Sequence, residues 1–508
     1  MERKKGRFKL EKIILESDTT INAELFDNLN ENETALEQIF LNCSDLVVKK
    51  FNLFDSFPCM LVYLDVIVDA TQLEEGILRP LLASDSASAD DPSQLVEQLN
   101  TGLVPIGKTQ IVEKQNELIQ RIVKGEVILF IESSRQAISI SVQNSLHREL
   151  QEPNMEAVIR GPRLGFIETL GINMALIRQR ICSPQLKIER ISIGTVSQTD
   201  VAIVYIGNMA PQAVIDEIRK RILGIDMDSI LESGYIEEMI SDHPYSPFPL
   251  IQSTQRPDSV TASLIEGKVV VLIDGSPMAL IAPITIWYGF QTAEDYYMKF
   301  IFATMLRWLR YLFAFLSIAL PAIYVAVTTF HQEMLPTSLA LSLAAAREIV
   351  PFPALMETLI MEVTFEALRE AGVRLPRPVG QTISIVGALV IGQAAVQAGI
   401  ISAPIIIIVS LTGIASFLIP HPEMSQAISI LRFPLIISAG TFGLYGIGAS
   451  MIAILIHLVN LRSFGVPYLT PLAPVNFFGL EDVLVRAPWQ VMRKRQEYAK
   501  QKMELEKK

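Results

Sequence analysis

Four side chains in the C-terminal half are of types that can handle ions in an apolar setting: Glu357, Glu362, Gln393 and Gln397. Gln393 and Gln397 are four positions apart in an uncharged run, so on a helix both amides share one face and must meet a partner or water. Hydrogen bonding between helices would satisfy them without a channel, whereas a symmetric oligomer would turn that face into a conduction path. Glu362, Glu366 and Glu370 repeat at the same spacing, a pattern that equally describes a solvated acidic helix face. A second cluster, Glu152, Arg160, Gly161, Pro162, Arg163 and Glu168, sets two arginines around a Gly-Pro turn. Planar guanidinium donors on a rigid turn suit carboxylates, phosphates or a neighbouring subunit, and ion pairs with Glu152 and Glu168 in the same chain are the plainer reading.

Other chemistries find little support. Gly161 to Gly165 is not followed by Gly-Lys-Ser or Gly-Lys-Thr, so no phosphate loop is present. The histidines His147, His243, His331, His421 and His457 fall into no HExxH or GxSxG pattern, and no cofactor or metal site is indicated. The chain therefore reads as a non-enzyme. His421, beside Pro422 and Glu423, reads as a solvated loop residue. Cys43, Cys59 and Cys182 form no CxxC pair, which points to a reducing compartment and buried thiols. A formal net charge of −11 argues against nucleic acid as a partner.

The elements that must position these groups follow from where charge is missing. Residues 311–330, 378–420 and 433–461 contain no Asp, Glu, Lys or Arg, and an apolar helix needs about 20 residues to cross a bilayer. Spans are expected near 311–330, 381–400, 404–420 and 434–461, with Ser402 and Pro404 in the turn between the middle two. Residues 335–370 interleave apolar and charged positions and read as re-entrant or interfacial. Gly387, Gly392, Gly399, Gly440 and Gly443 offer close-packing surfaces for helices in lipid. Basic residues before the first span (Lys299, Arg307, Arg310) and after the last (Arg462, Arg486, Arg493) place both ends in the cytoplasm, and no apolar leader follows the basic start.

The soluble half carries a repeat. Residues 125–134, GEVILFIESS, are echoed by 267–276, GKVVVLIDGS, and the same offset maps Val62, Tyr63 and Leu64 onto Val204, Tyr205 and Ile206. Strands alternating with helical segments give an expected fold of tandem α/β soluble subdomains followed by an all-α polytopic membrane domain. The expected boundaries are 1–150 and 151–300 for the two subdomains, 301–465 for the membrane domain and 466–508 for a cytoplasmic tail.

Four stretches together resemble the A subunit of the GerA-type spore germination receptors: IESSR at 131–135, residues 152–181, residues 256–283, and 347–399 with REIVPFPALMETLIMEVTFEALREAGVRLP. The resemblance implies a nutrient sensor in the spore inner membrane that works with a transporter-like B subunit and a lipoprotein C subunit. It further implies a homo-oligomer that acts as a ligand-gated cation channel and triggers germination. A non-conducting scaffold or signalling subunit remains the competing reading. A secondary transporter is less favoured, because the duplication lies in the soluble half and no inverted repeat of spans is apparent.

Overall fold

The computed structural model describes residues 24–54, 57–83, 92–100, 108–142, 156, 160–374, 392–480 and 482–488. The first half forms two five-stranded sheets. One comprises β1 (Leu46–Leu53), β2 (Phe57–Leu64), β3 (Thr109–Val112), β4 (Glu126–Ile131) and β5 (Ala137–Ser141), in the order β1-β2-β4-β5-β3. The other comprises β6 (Leu186–Ile193), β7 (Thr199–Ile206), β8 (Gln252–Thr254), β9 (Val269–Ile273) and β10 (Ala279–Ala282), in the corresponding order β6-β7-β9-β10-β8. Every pairing in both sheets is antiparallel.

The repeat seen in the sequence is thus a repeat of topology and register. Strands β2 and β7 lie 142 positions apart, as do helices α2 (Gln115–Val123) and α6 (Pro257–Ile265). Gly125 and Gly267 end those helices with φ of 86° and 88°, the left-handed conformation that an α-to-strand turn assigns to glycine. Central strands such as β2, FPCMLVYL, are apolar almost throughout because both sheet faces are covered. In the first unit, α1 (Leu29–Ile39) and α2 supply Leu36, Leu118 and Ile122 to one face. Residues 70–83 and 92–99 supply Leu73, Ile77 and Leu95 to the other. In the second unit, α3 (Leu170–Arg180) and α6 cover one face, and α4 (Gln212–Leu223) and α5 (Ser233–Ile240) cover the other.

A buried ion pair joins the units. Arg178 on α3 donates from Nε and Nη2 to the two carboxylate oxygens of Asp45 at 2.9 Å each, and from Nη1 to Leu186 O. Both side chains are 0% exposed. The loop before β1 also bonds to the edge of the second sheet, with Ser44 N donating to Ile188 O and Ile188 N to Asn42 O.

The second half is helical: α7 (Phe300–Thr329), α8 (Thr337–Arg347), α9 (Ala354–Arg374), a short helix Gly392–Gln397, α10 (Ala403–Phe417) and α11 (Pro422–Asn460). Of these, α7 is long and apolar enough to cross a membrane as one helix, and α11 meets the same test by length and composition as a continuous run. The structure departs from the expected spans in three places. Helix α7 begins at Phe300, so Arg307 and Arg310 lie inside it. Residues 335–370 divide into α8, none of whose residues is buried, and α9, which packs into the bundle.

The third departure concerns the expected single crossing at 434–461. Helix α11 reverses at Gly443, whose φ of 64° and ψ of −143° are non-helical. Ser450 Oγ lies 2.8 Å from Ser438 Oγ, a contact that a straight helix cannot make across twelve residues of 1.5 Å rise each. Both ends therefore face the second sheet unit: Ser253 Oγ donates to Glu423 at one end, and Ser246 Oγ lies 3.0 Å from His457 Nε2 at the other. Glycine is required at the reversal for a second reason, since a Cβ there would stand 2.8 Å from His331 Nε2 and 3.1 Å from Phe330 Cβ. The freed amide of Leu444 donates to His331 Nε2 at 3.3 Å.

Candidate functional site: a charged seam inside the helical bundle

Helix α9 carries Glu357 and Glu362 into the bundle, where both are 0% exposed. Glu362 Oε2 meets Arg432 Nη1 at 2.6 Å. Arg432 also donates from Nε to Ser317 O at 2.7 Å and from Nη2 to Ser317 Oγ at 2.9 Å. The geometry has a cause in the sequence. Pro321 lies four residues after Ser317 in α7 and has no N–H, so the Ser317 carbonyl lacks its helical donor and the guanidinium supplies one. The seam continues through Glu366, paired with Arg369 at 2.6 Å, and Arg369 Nη1 donates to Ser429 Oγ at 3.3 Å. Toward the other end of α9, Glu357 Oε1 accepts from Ser402 N and Ser402 Oγ, both at 2.5 Å, with Arg347 Nε 3.9 Å from its second oxygen.

The four candidate ion-path residues therefore separate. The two glutamates are locked among α7, α9, α11 and the start of α10, whereas Gln393 and Gln397 are exposed on the Gly392–Gln397 helix. Of the candidate packing glycines, Gly440 faces Leu355, with an added Cβ 2.8 Å from its methyl groups. Gly392 lies near Ile406, and Gly399, with φ of 65°, lies against Ile349. Gly387 falls outside the described residues, as does most of the expected span 381–400.

The arginine-rich connector is positioned chiefly by its backbone. Arg160 N donates to Glu294 Oε1 at 3.2 Å, and the side chains of Arg160, Arg163 and Glu168 are exposed. Arg256, which the sequence reading passed over, grips the turn: it donates to Pro162 O and Glu156 O at 3.1 Å each and pairs with Asp258 at 2.8 Å. Gly161 has a φ of 147°, and Glu168 O accepts from Gly275 N. Glu152 lies outside the described residues.

Where the second unit meets α11, the described lining of one cleft gathers carboxylates and no arginine. This cleft, of about 260 Å³, is lined by Glu237, Glu238, His243, Phe248, Glu423 and Gln426, among others. Burial, with Glu423 and Glu232 nearby, pushes the Glu237 carboxyl up to about 8. Burial likewise raises Glu156 to about 7, against the hydrogen bond it accepts from Thr254 Oγ1 at 2.7 Å. His421 is not the solvated loop residue expected. Its ring centroid lies 3.9 Å from that of Tyr288, its Nε2 lies 2.9 Å from Gln291 O, and burial lowers it to about 4. Cys43 and Cys59 are buried as expected, but Cys182 is exposed.

Arg307 and Arg432 are both 0% exposed; Arg307 was read as flanking charge, and Arg432, at the margin of an uncharged run, was not singled out. The available signal for Arg432 was Pro321, which orphans a carbonyl inside the first apolar run.

Residues 34–498 match the model of the Bacillus/Clostridium GerA spore germination protein family. The chain is 44% identical over 489 residues to an uncharacterized membrane protein, YfkQ, of Bacillus subtilis, covering 96% of this chain and 94% of that one. It is 43% identical to spore germination protein KA of the same organism, over 89% and 83% of the two chains. It is 38% identical to spore germination protein GerLA of Bacillus cereus, over 94% and 97%. Among solved structures, the N-terminal domain of the A subunit of the Bacillus megaterium spore germinant receptor GerK3 is 32% identical. That match has a TM-score of 0.42 and covers 52% of this chain and 97% of that one.

Proposed function

Because the chain belongs to the GerA spore germination protein family, we propose that it is the A subunit of a nutrient germinant receptor and that it conducts monovalent cations as an oligomer. In this reading it lies in the spore inner membrane, with both sheet units and the C-terminus on the core side, and acts beside a transporter-like B subunit and a lipoprotein C subunit. The return of both ends of α11 to the second sheet unit supports that orientation.

The observation that supports a path between copies is the exposure of Gln393 and Gln397, set against the buried position of Arg432. Its guanidinium fills the centre of the bundle against Glu362 and Ser317, so an ion path through one copy would have to break a fully desolvated pair. The path is therefore assigned to the boundary between copies, where the exposed amides of Gln393 and Gln397 can line it. Glu357 and Glu362 then hold the bundle that presents those amides. A nutrient-bound partner biases the closed-to-open equilibrium through differential contacts with the two states.

The same closed bundle favours a second reading, a non-conducting signalling subunit. Reconstitution of the purified full chain in planar bilayers separates the two. Cation current that falls on Gln397→Lys supports conduction, and silence from correctly inserted protein supports the signalling role.

A further inference from the structure

The chain returns after its last helix to grip its first. Asp482 is buried, and its carboxylate meets Arg307 Nη1 at 3.0 Å and Tyr296 Oη at 2.6 Å. Its carbonyl accepts from Arg307 Nη1 and from Gln291 Nε2, the latter at 2.8 Å. Arg307 in turn pairs through Nε with Asp295 at 3.2 Å, and Arg310 pairs with the same Asp295 at 2.8 Å. Beyond Asp482 the segment lies along two turns of α7. Tyr311 Oη donates to Val483 O at 2.8 Å, Trp308 Nε1 to Leu484 O at 2.7 Å, and Arg486 N to Thr304 Oγ1 at 3.1 Å. The side chains at 484 and 485 remain exposed. Val483 is buried, so the contact combines one apolar side chain with polar groups of the backbone and buried charge.

We propose that residues 482–486 form a releasable clasp, which fixes α7 against the second sheet unit at rest and must open for the helix to move. A permanent joint would be at least as stable with apolar side chains, because burying Arg307 with Asp295 and Asp482 carries a desolvation cost that their attraction must first offset. What a desolvated network supplies is a single register and cooperative release, since removing any one member leaves another charge buried and unpaired. Gln291, Tyr296 and Asp295 come from the segment joining the second unit to α7, so the network ties three parts of the chain at one point.

The functional readout rests on the receptor reading above, so the test has two arms. In the first, Cys182→Ser full-length chain carries Thr304→Cys with Arg486→Cys, or separately Trp308→Cys with Leu484→Cys. It is expressed with its partner subunits as the sole family receptor of a spore. On challenge with mixed amino acids and sugars, oxidised spores should germinate at least tenfold more slowly than the same spores treated with dithiothreitol. Equal rates with the disulfide formed would overturn the clasp. In the second arm, the full chain in lipid nanodiscs is followed by deuterium exchange. Exchange into 482–486 should rise at least tenfold in Asp482→Asn, with α10 unchanged, and Asp482→Glu should restore part of the protection. Exchange unaffected by Asp482→Asn overturns the clasp whatever the spores do. Unlocked Cys182→Ser spores that ignore the mixture, together with the expected rise in exchange, overturn the receptor reading and leave the clasp standing.

Discussion

The two sheet units share strand order, register and helix spacing, yet among the described residues the hydrogen bonds to the bundle come from the second, and the difference lies in a few edge residues. At matching positions of β3 and β8 the first unit has Ile111 and Val112, and the second has Ser253 and Thr254. Ser253 binds Glu423 on α11 and Thr254 binds Glu156 of the connector. The fully buried Leu95 of the first unit corresponds to Glu237 of the second, which faces the cleft beside Glu423. One backbone has thus been given an apolar surface in one copy and a polar docking surface in the other. Duplication supplies the frame, and the edge chemistry decides which copy seats the helices.

The largest effect is expected at the joint between the units. Asp45→Ala strands Arg178 in a site with no exposure and should cost about 3–5 kcal/mol, read as a lowered melting temperature of the full chain. If the two units melt as before, they are not coupled through this pair. The glycine pair gives a sharper contrast. Gly125→Ala and Gly267→Ala impose the same left-handed strain of about 1–2 kcal/mol. A Cβ at 267, however, stands 2.7 Å from the Met209 carbonyl oxygen, whereas at 125 the nearest atoms, from Ile67, are at 3.3 Å. Denaturant titration should find the second substitution costlier by about 1 kcal/mol or more.

A smaller effect separates the units by pH. The Glu237 carboxyl, raised to about 8, binds its proton more tightly in the folded chain than in the unfolded one. Its contribution is therefore complete below the unfolded value near 4.5 and is lost as pH rises through about 8. Between pH 6 and 9 the melting temperature should fall, and Glu237→Gln should flatten that fall. Leu95, its counterpart in the first unit, has no proton to lose. The smallest expected change is Ser253→Ala, which removes one hydrogen bond to Glu423 and should cost about 1 kcal/mol by the same melt.

The repeat was legible because a left-handed glycine, an apolar strand and a polar turn recur together at a fixed offset, and each has a local physical cause. The bundle was less so. Gly443 stands in a run of small residues that reads as a packing face. The reversal shows only in three dimensions, in the backbone angles of Gly443, the contact between Ser438 and Ser450, and His331 closing on the turn from more than a hundred positions away. Arg432 binds Glu362 at a separation of 70 positions, and no local pattern announces such a pair. Glu362 was singled out by its helical spacing, but spacing states which residues share a face and leaves open whether that face meets water or an arginine. The C-terminal segment carries no periodic signal at all, because α7 holds it largely through its carbonyl groups.

Single-channel recording of the purified full chain in planar bilayers tests the conducting role most directly. The expected result is a monovalent-cation current that Gln397→Lys reduces and that Glu362→Gln abolishes only where it also lowers thermal stability. Absence of current from inserted, folded protein, or a current indifferent to charge at Gln393 and Gln397, would contradict it.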